Sequence, residues 1–389
     1  MFRFLVRFAL LFVGIGLIHS VALSQAAPSQ NTDSPNTDSP NIDSPNINRQ
    51  VLENPAPGNS SVEREHLDRS QLSYYLIQAF QAKSASSRLP LNHIGIQVQQ
   101  REQGYLVTAV LEDYPAHRAG ISRGDWIRSV DGNAYHPVYS FNEINAEATE
   151  FSSAEVSVEL VFERNASTTT VQITPRFENL YDSYRTATVN STLQFSSGNK
   201  VIAYVRLWGL SRNGNDLSSF AKLIREHRNS DGLILDLRNS FGYLGTELLD
   251  LLLANRRSFF STAQAINDDN SLTLNHPRAR NDHYSRPIAI LVNAQTQSGA
   301  ELFAYQLAKQ ERVITVGDST AGKIGHYLPV DEARSPTLLY VPALETLIDG
   351  TVFEARGVTP EQAVDYPFTQ SSRSDPQFET AVSLLLGII

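Results

Sequence analysis

The chain has 389 residues, 41% apolar and 19% charged, which is enough for two or three folded domains with a large core. Its formal charge of −9, with no basic stripe, excludes a nucleic-acid footprint. It contains no cysteine, which removes a thiol nucleophile, a thiolate metal site and a lipoprotein-type lipid anchor.

The N-terminus speaks for export. Arg3 and Arg7 precede a nearly continuous apolar run from Phe8 to Leu23, and Ser24-Gln25-Ala26 offers small residues to a signal peptidase. Residues 1–26 read as a secretory signal cleaved after Ala26, and the periplasm is the expected destination. The alternative is an uncleaved anchor, since the run approaches spanning length, and only then would the protein be tethered to a membrane. From 27 to 65 the chain is rich in Asn, Asp, Ser and Pro, with the tandem pentapeptides Asn31-Thr-Asp-Ser-Pro, Asn36-Thr-Asp-Ser-Pro and Asn41-Ile-Asp-Ser-Pro. A segment with so little to bury is expected to be a disordered linker. Residues 66–90 carry helical apolar spacing from Leu72 to Ala82 and are expected to pack on the body behind them.

From 91 to 175 the texture becomes short alternating strands. They are expected at 94–98, 105–110, 126–130, 156–162 and 169–173, with a short helix from Pro115 that stops at Gly120 and a turn at Asp131-Gly132. The run Tyr114-Pro-Ala-His-Arg-Ala-Gly-Ile-Ser-Arg-Gly-Asp-Trp-Ile-Arg-Ser-Val-Asp-Gly132 resembles a PDZ domain. Such a module captures an extended tail at a sheet edge, and backbone N–H groups receive the tail's carboxylate. The receiving loop would be His93-Ile94-Gly95-Ile96. The plainer reading is a small β domain with packing duty only.

Residues 176–389 alternate strands with helices: a strand at 201–207, a helix at 216–227, a buried strand at 232–237 and a helix at 245–254. The strand 287–293, a helix opening at Ser298 and the strand 312–317 complete a β-α-β unit. The expected class is a multi-domain α/β protein, with a parallel-rich core covered by helices on both faces and a smaller β-rich domain beside it. A right-handed crossover returns the chain to the same sheet edge, so Ser298 and Lys323, 25 residues apart, follow the carboxyl ends of neighbouring strands.

That edge reads as a serine nucleophile with a lysine base. Ser298 stands at a helix N-terminus, where free N–H groups favour a developing anion, and Gly299 and Gly242 are the natural oxyanion donors. Lysine serves as base only when neutral, and burial is the available lever. Thr320 is placed to hold the Lys323 amine, and Asp318 must point elsewhere. Each residue also has a structural reading: Ser298 as a helix cap, Glu301 as its capping-box partner, Lys323 as a surface lysine, Arg238 as a loop-ordering hydrogen-bonder. His326 is the rival base. No metal or cofactor is expected.

Together these segments resemble the carboxyl-terminal processing peptidases, or tail-specific proteases, over about Leu72 to Ile389. Asp236-Leu-Arg-Asn-Ser-Phe-Gly242 is similar to that family's Asp-Leu-Arg-x-Asn-Pro-Gly-Gly loop, and Gln297-Ser298-Gly-Ala-Glu301 to its nucleophile segment. Gly317-Asp-Ser-Thr320-Ala-Gly-Lys323 is similar to its lysine segment, and Gly357-Val-Thr-Pro-Glu361 and Asp375-Pro-Gln to its closing motifs. The resemblance implies a Ser/Lys peptidase core beside a PDZ domain that receives the substrate tail or gates access. It implies Ser298 as nucleophile, Lys323 as base, Gly242 and Gly299 as oxyanion donors, and Thr320 as support for the lysine. The implied partners are protein or peptide substrates with exposed C-terminal tails; the oligomeric state is left open. Tyr327 stands where the family has a glutamine oriented toward the lysine, Tyr243 replaces a glycine and Phe241 a proline. Both tyrosines are expected to narrow the cleft. The competing class is a catalytically inactive adaptor that keeps the fold and binds tails.

Overall fold

The computed structural model describes residues 65–143, 150–154, 156–254, 263–265, 283–332, 335–368 and 374–389. The expected signal and the pentapeptide linker up to residue 64 lie outside the described residues. Among the described residues no helix is long and apolar enough to cross a membrane.

The larger body is built on a six-stranded sheet. Its order is Leu193–Ser197, Lys200–Arg206, Gly232–Asp236, Ile288–Val292, Val313–Gly317 and Gln362–Ala363. Only the Leu193–Ser197 edge pairs antiparallel; every other neighbour is parallel. Strands covered on both faces must be apolar on both, and Gly232–Asp236 and Ile288–Val292 are buried at every residue.

The alternation of side chains splits the core in two. Ala203, Val205, Leu233, Leu235 and Ile290 face the helices Gly214–Glu226, Thr246–Asp250 and Gly299–Ala308. Ile202, Ile234, Ala289 and Leu291 face the C-terminal helix Pro376–Ile388 through Ala381 and Leu385. The expected two-sided covering is therefore met, with a C-terminal helix that the pattern reading did not identify.

The smaller body is a β-sheet in the order Ile96–Arg101, Gly104–Val110, Trp126–Val130, Val158–Arg164 and Ser167–Ile173, with a short strand Asn133–Ala134 on the third. Its core holds Ile94, Val107, Ile127, Leu160 and Phe162. The first strand starts two residues later than its sequence pattern suggests, because Leu91–His93 is a separate strand paired with Arg176–Glu178. The helix Leu72–Gln81 forms as expected and buries Tyr74, Tyr75, Leu76, Ile77 and Ala79.

Ahead of that helix, His66–Leu67 adds to a hairpin of His326–Glu332 and Ser335–Val341, pairing with Leu338 and Leu339. Residue 65, taken with the linker in the sequence, is already tied in: the Glu65 carbonyl accepts the Tyr340 N–H at 2.9 Å.

Candidate active site

The carboxyl edge of the parallel sheet gathers the loops after Asp236, Val292 and Gly317. Their joints are backbone bonds. Leu237 N–H donates to the Leu291 carbonyl at 2.8 Å, Gln297 N–H to Ser240 at 3.1 Å, and Ala321 N–H to Thr296 at 3.0 Å. The Ser298 N–H donates to the Lys323 carbonyl at 2.8 Å. Nucleophile and base candidates, on two different loops, thus share a backbone hydrogen bond.

Ser298 heads the Gly299–Ala308 helix with φ 60° and ψ −132°, a conformation that side-chain-bearing residues avoid. Holding it costs on the order of 1–3 kcal/mol, and such strain gathers at functional sites. Its hydroxyl makes no capping bond, and the residue is only 8% exposed. A serine present merely to cap would bond the free N–H groups of its helix, so the capping reading does not describe it.

Gly299 and Gly242 meet. A Cβ on Gly299 would lie 2.6 Å from the Gly242 carbonyl oxygen and 2.4 Å from the Leu244 nitrogen, so only glycine permits this approach. Phe241–Gly242 pairs in parallel with Gly209–Leu210, and there Phe241 and Tyr243 donate to Trp208 and Leu210. Alternate residues of a parallel strand point their N–H groups to opposite sides. The Gly242 N–H therefore turns away from that partner strand.

Glu301 is fully buried, and the Ser298 N–H acts on its carboxylate as in a capping box, while the Ser298 hydroxyl makes no return bond. Glu301 reaches across to the third loop and accepts from the Thr320 hydroxyl at 2.5 Å, Gly322 N–H at 2.6 Å and Lys323 N–H at 2.8 Å. Burial pushes its carboxyl above the ordinary range, and these donors pull it back. Thr320 is committed to Glu301 and to the Val358 N–H at 2.8 Å. Its support for Lys323 therefore passes through the loop backbone, not through the amine as the sequence suggests.

The amine itself departs from expectation. Lys323 Nζ donates to Glu65 Oε2 at 2.7 Å, and its side chain is 41% exposed. Tyr327, at the position where the resemblance has a glutamine oriented toward the lysine, points its hydroxyl to the same Glu65 oxygen at 3.5 Å and packs on Tyr340. Burial, then Glu65, pushes the Tyr327 phenol above its usual range. Asp318 does point elsewhere, accepting from Gln377 at 3.2 Å. His326 is exposed on the hairpin, and among the described residues its ring has no hydrogen-bond partner.

Arg238 orders its loop. Its guanidinium bonds Asp236 at 2.6 and 2.9 Å, Asp375 at 2.8 Å and Gln377 at 3.1 Å, which ties the sheet edge to the start of the C-terminal helix. Burial raises the Asp236 carboxyl, but Arg238 and Arg206 outweigh it and hold it at about 2.

A cleft of about 620 Å³ joins the two bodies. One wall is the edge strand through Ile96, Gln97, Val98, Gln99 and Gln100; another carries Asn239, Phe241, Gln295 and Gln297, the last adjacent to Ser298. Glu65 lines it as well. Neither Tyr243 nor Tyr327 does, so the expected narrowing by those tyrosines is not seen there.

Of the expected carboxylate loop, His93, Gly95 and Ile96 line the cleft, whereas Ile94 is buried in the β core. The Gly95 N–H is already spent on His93 Nδ1 at 3.2 Å, and His93 Nε2 meets Ser183 Oγ at 3.0 Å. Burial, with Arg176 nearby, drives the His93 imidazole down to about 3, so it is neutral. The loop is thus a braced turn, and the open hydrogen-bonding edge begins at Ile96.

The sequence reading passed over an amide bridge between the bodies. Gln97 Oε1 accepts from Asn239 Nδ2 at 2.8 Å, and Asn239 exchanges bonds with Asn293 at 2.9 Å. Asn239 lies inside the quoted Asp236–Gly242 loop, and its φ of 61° is the trace of that role. Glu65 carried no signal, since its partner is 258 positions away.

Comparison with known proteins agrees with this geometry. Residues 201–364 match the model of peptidase family S41, and residues 92–174 match that of the PDZ domain. A carboxyl-terminal-processing protease of Synechocystis sp. is 27% identical over 308 residues, covering 76% of this chain and 69% of that protein. Another from Picosynechococcus sp. is 25% identical over 328 residues, covering 79% and 73%. An S41 protease structure from Bacteroides fragilis shares the fold, with a TM-score of 0.51 at 16% identity over 77% of this chain and 84% of that one. The chain thus carries a peptidase family S41 domain beside a PDZ domain and is a serine peptidase similar to the carboxyl-terminal-processing proteases.

Proposed function

We propose that the protein is an exported endopeptidase that cleaves protein substrates near their C-termini, with Ser298 as nucleophile and Lys323 as general base. The observation that carries this reading is Ser298 itself: strained at φ 60°, uncapped, and joined through its N–H to the Lys323 carbonyl. The Ser298 hydroxyl attacks the scissile carbonyl and passes its proton to the neutral Lys323 amine, forming the acyl-enzyme when that proton moves to the leaving amine. Water then releases the acyl group by the same route. The N–H groups of Gly299 and Gly242 receive the oxyanion; losing one such donor costs about 2.7–4 kcal/mol of transition-state stabilisation.

The substrate tail adds as a strand to the Ile96–Arg101 edge and runs along the cleft toward Gln297. Export rests on the N-terminal pattern of basic, apolar and small residues.

The test is cleavage of unstructured tails by wild type and by Ser298→Ala, Lys323→Ala and His326→Ala. Loss in the first two, with His326→Ala retained, supports the dyad. Loss in His326→Ala but not in Lys323→Ala moves the base to the histidine. A wild type silent on every tail leaves a PDZ-bearing adaptor. With lysine as base, activity rises with pH along an acid limb, and a flat profile counts against it.

A further inference from the structure

The Lys323 amine is bonded to the Glu65 carboxylate in the resting chain, and an amine that is to take the serine's proton must first leave that partner. Whatever frees the amine must deal with Glu65. The carboxylate is anchored at its own backbone, where the Glu65 carbonyl accepts the Tyr340 N–H and His66–Leu67 pairs with the hairpin. Its Oε2 carries both Lys323 Nζ and the Tyr327 hydroxyl. It also lines the cleft shared with Gln297 and the PDZ edge strand, and among the described residues it is the one residue of that lining with a formal charge at neutral pH. The lining histidines, His93 and His136, are both pushed toward the neutral form by burial.

We propose that Glu65 gates the general base and selects a substrate with a lysine or arginine beside the scissile bond, whose side chain takes Glu65 in exchange for Lys323. This rests on the Ser298/Lys323 reading above. A neutral substrate that displaces Lys323 strands a carboxylate in a partly desolvated cleft, at a cost typical of losing a charged hydrogen-bond partner. A cationic side chain restores the pair as it breaks the old one. Lys323 then loses its proton to solvent and turns to Ser298. Glu65 is a positioning and selecting residue here, not a catalytic one.

The experiment moves one lysine through an otherwise neutral tail peptide, with norleucine at the same position as control. For the wild type we expect kcat/KM about tenfold higher for lysine than for norleucine at one or two adjacent positions. In Glu65→Gln that ratio falls to about one because the norleucine peptide is cleaved faster, and Glu65→Asp restores the preference. Melting temperatures of both variants show that each is folded.

The same peptide pairs, bound to full-length Ser298→Ala, report the preference without catalysis. There the affinity ratio should again vanish in the Glu65→Gln, Ser298→Ala double variant. If no position prefers lysine in the wild type, or if the preference survives Glu65→Gln, the proposal falls. If Lys323→Ala cleaves as well as wild type, the dyad reading fails on its own, and the binding ratio still decides the role of Glu65.

Discussion

Arg238 and Lys323 leave the same sheet edge on different loops, and the structure treats their charges differently. Arg238 is 9% exposed and meets two carboxylates and an amide; Asp236 opposite it is fully buried. Lys323 is 41% exposed and holds one carboxylate that is itself 36% exposed. A guanidinium forks across several acceptors in fixed geometry, whereas an ammonium on a flexible stem can change partner. The first cation is built to stay and the second to move. The Lys323 loop is nonetheless held at its backbone, where the Gly322 and Lys323 N–H groups donate to Glu301 beside the Thr320 hydroxyl. Rigidity of backbone and mobility of side chain are separated within one loop.

The sharpest way to break this comparison is Arg238→Ala. It strands Asp236 in the core, and removing one partner of a buried pair costs about 3–5 kcal/mol, readable by urea unfolding. A loss below about 1 kcal/mol would mean that the Arg238 cluster is as loose as the Lys323 pair.

Next comes the braced turn at His93, through pH. The folded His93 imidazole lies near 3, below its unfolded value of about 6.5, so the folded state binds fewer protons. Its contribution is complete above pH 6.5 and is lost as pH falls from there toward 3, about 2 kcal/mol by pH 5. His93→Gln should flatten that part of the stability–pH curve; an unchanged slope would show that His93 is not its source.

Glu301→Gln then tests the backbone brace. It removes the charge that three donors share, and about 1–3 kcal/mol of stability should go, with a fall in kcat and little change in KM. Smallest in stability is Lys323→Met, which breaks a half-exposed pair worth about 0–1 kcal/mol and yet should abolish tail cleavage. A large loss of stability there would place Lys323 with Arg238 among the structural cations.

Much of the edge was legible before any coordinates. The β-α-β unit from Ile288 to Gly317 follows from buried five-residue strands flanking an apolar helix, and chain geometry alone then brings Ser298 and Lys323 to one end. The Arg238 role followed from a basic residue in a loop of hydrogen-bonding residues. The His326–Val341 hairpin was not read, because Pro329 and the charges Asp331 and Glu332 interrupt its pattern. An edge strand such as His326–Glu332 tolerates proline. The assignment of Thr320 to the amine failed because a short-range spacing cannot see Val358 and Glu301 competing for the same hydroxyl.

By itself, the sequence determined which segments are strands or helices and which candidates for chemistry share one sheet edge, since periodicity and turn residues act locally along the chain. Tertiary structure decided the state of that chemistry. Glu65 reaches Lys323, Gln97 reaches Asn239, and Glu301 gathers the lysine loop only after distant segments have packed. Hydrogen bonds and ion pairs depend on distances of a few ångströms, and a linear pattern does not encode them.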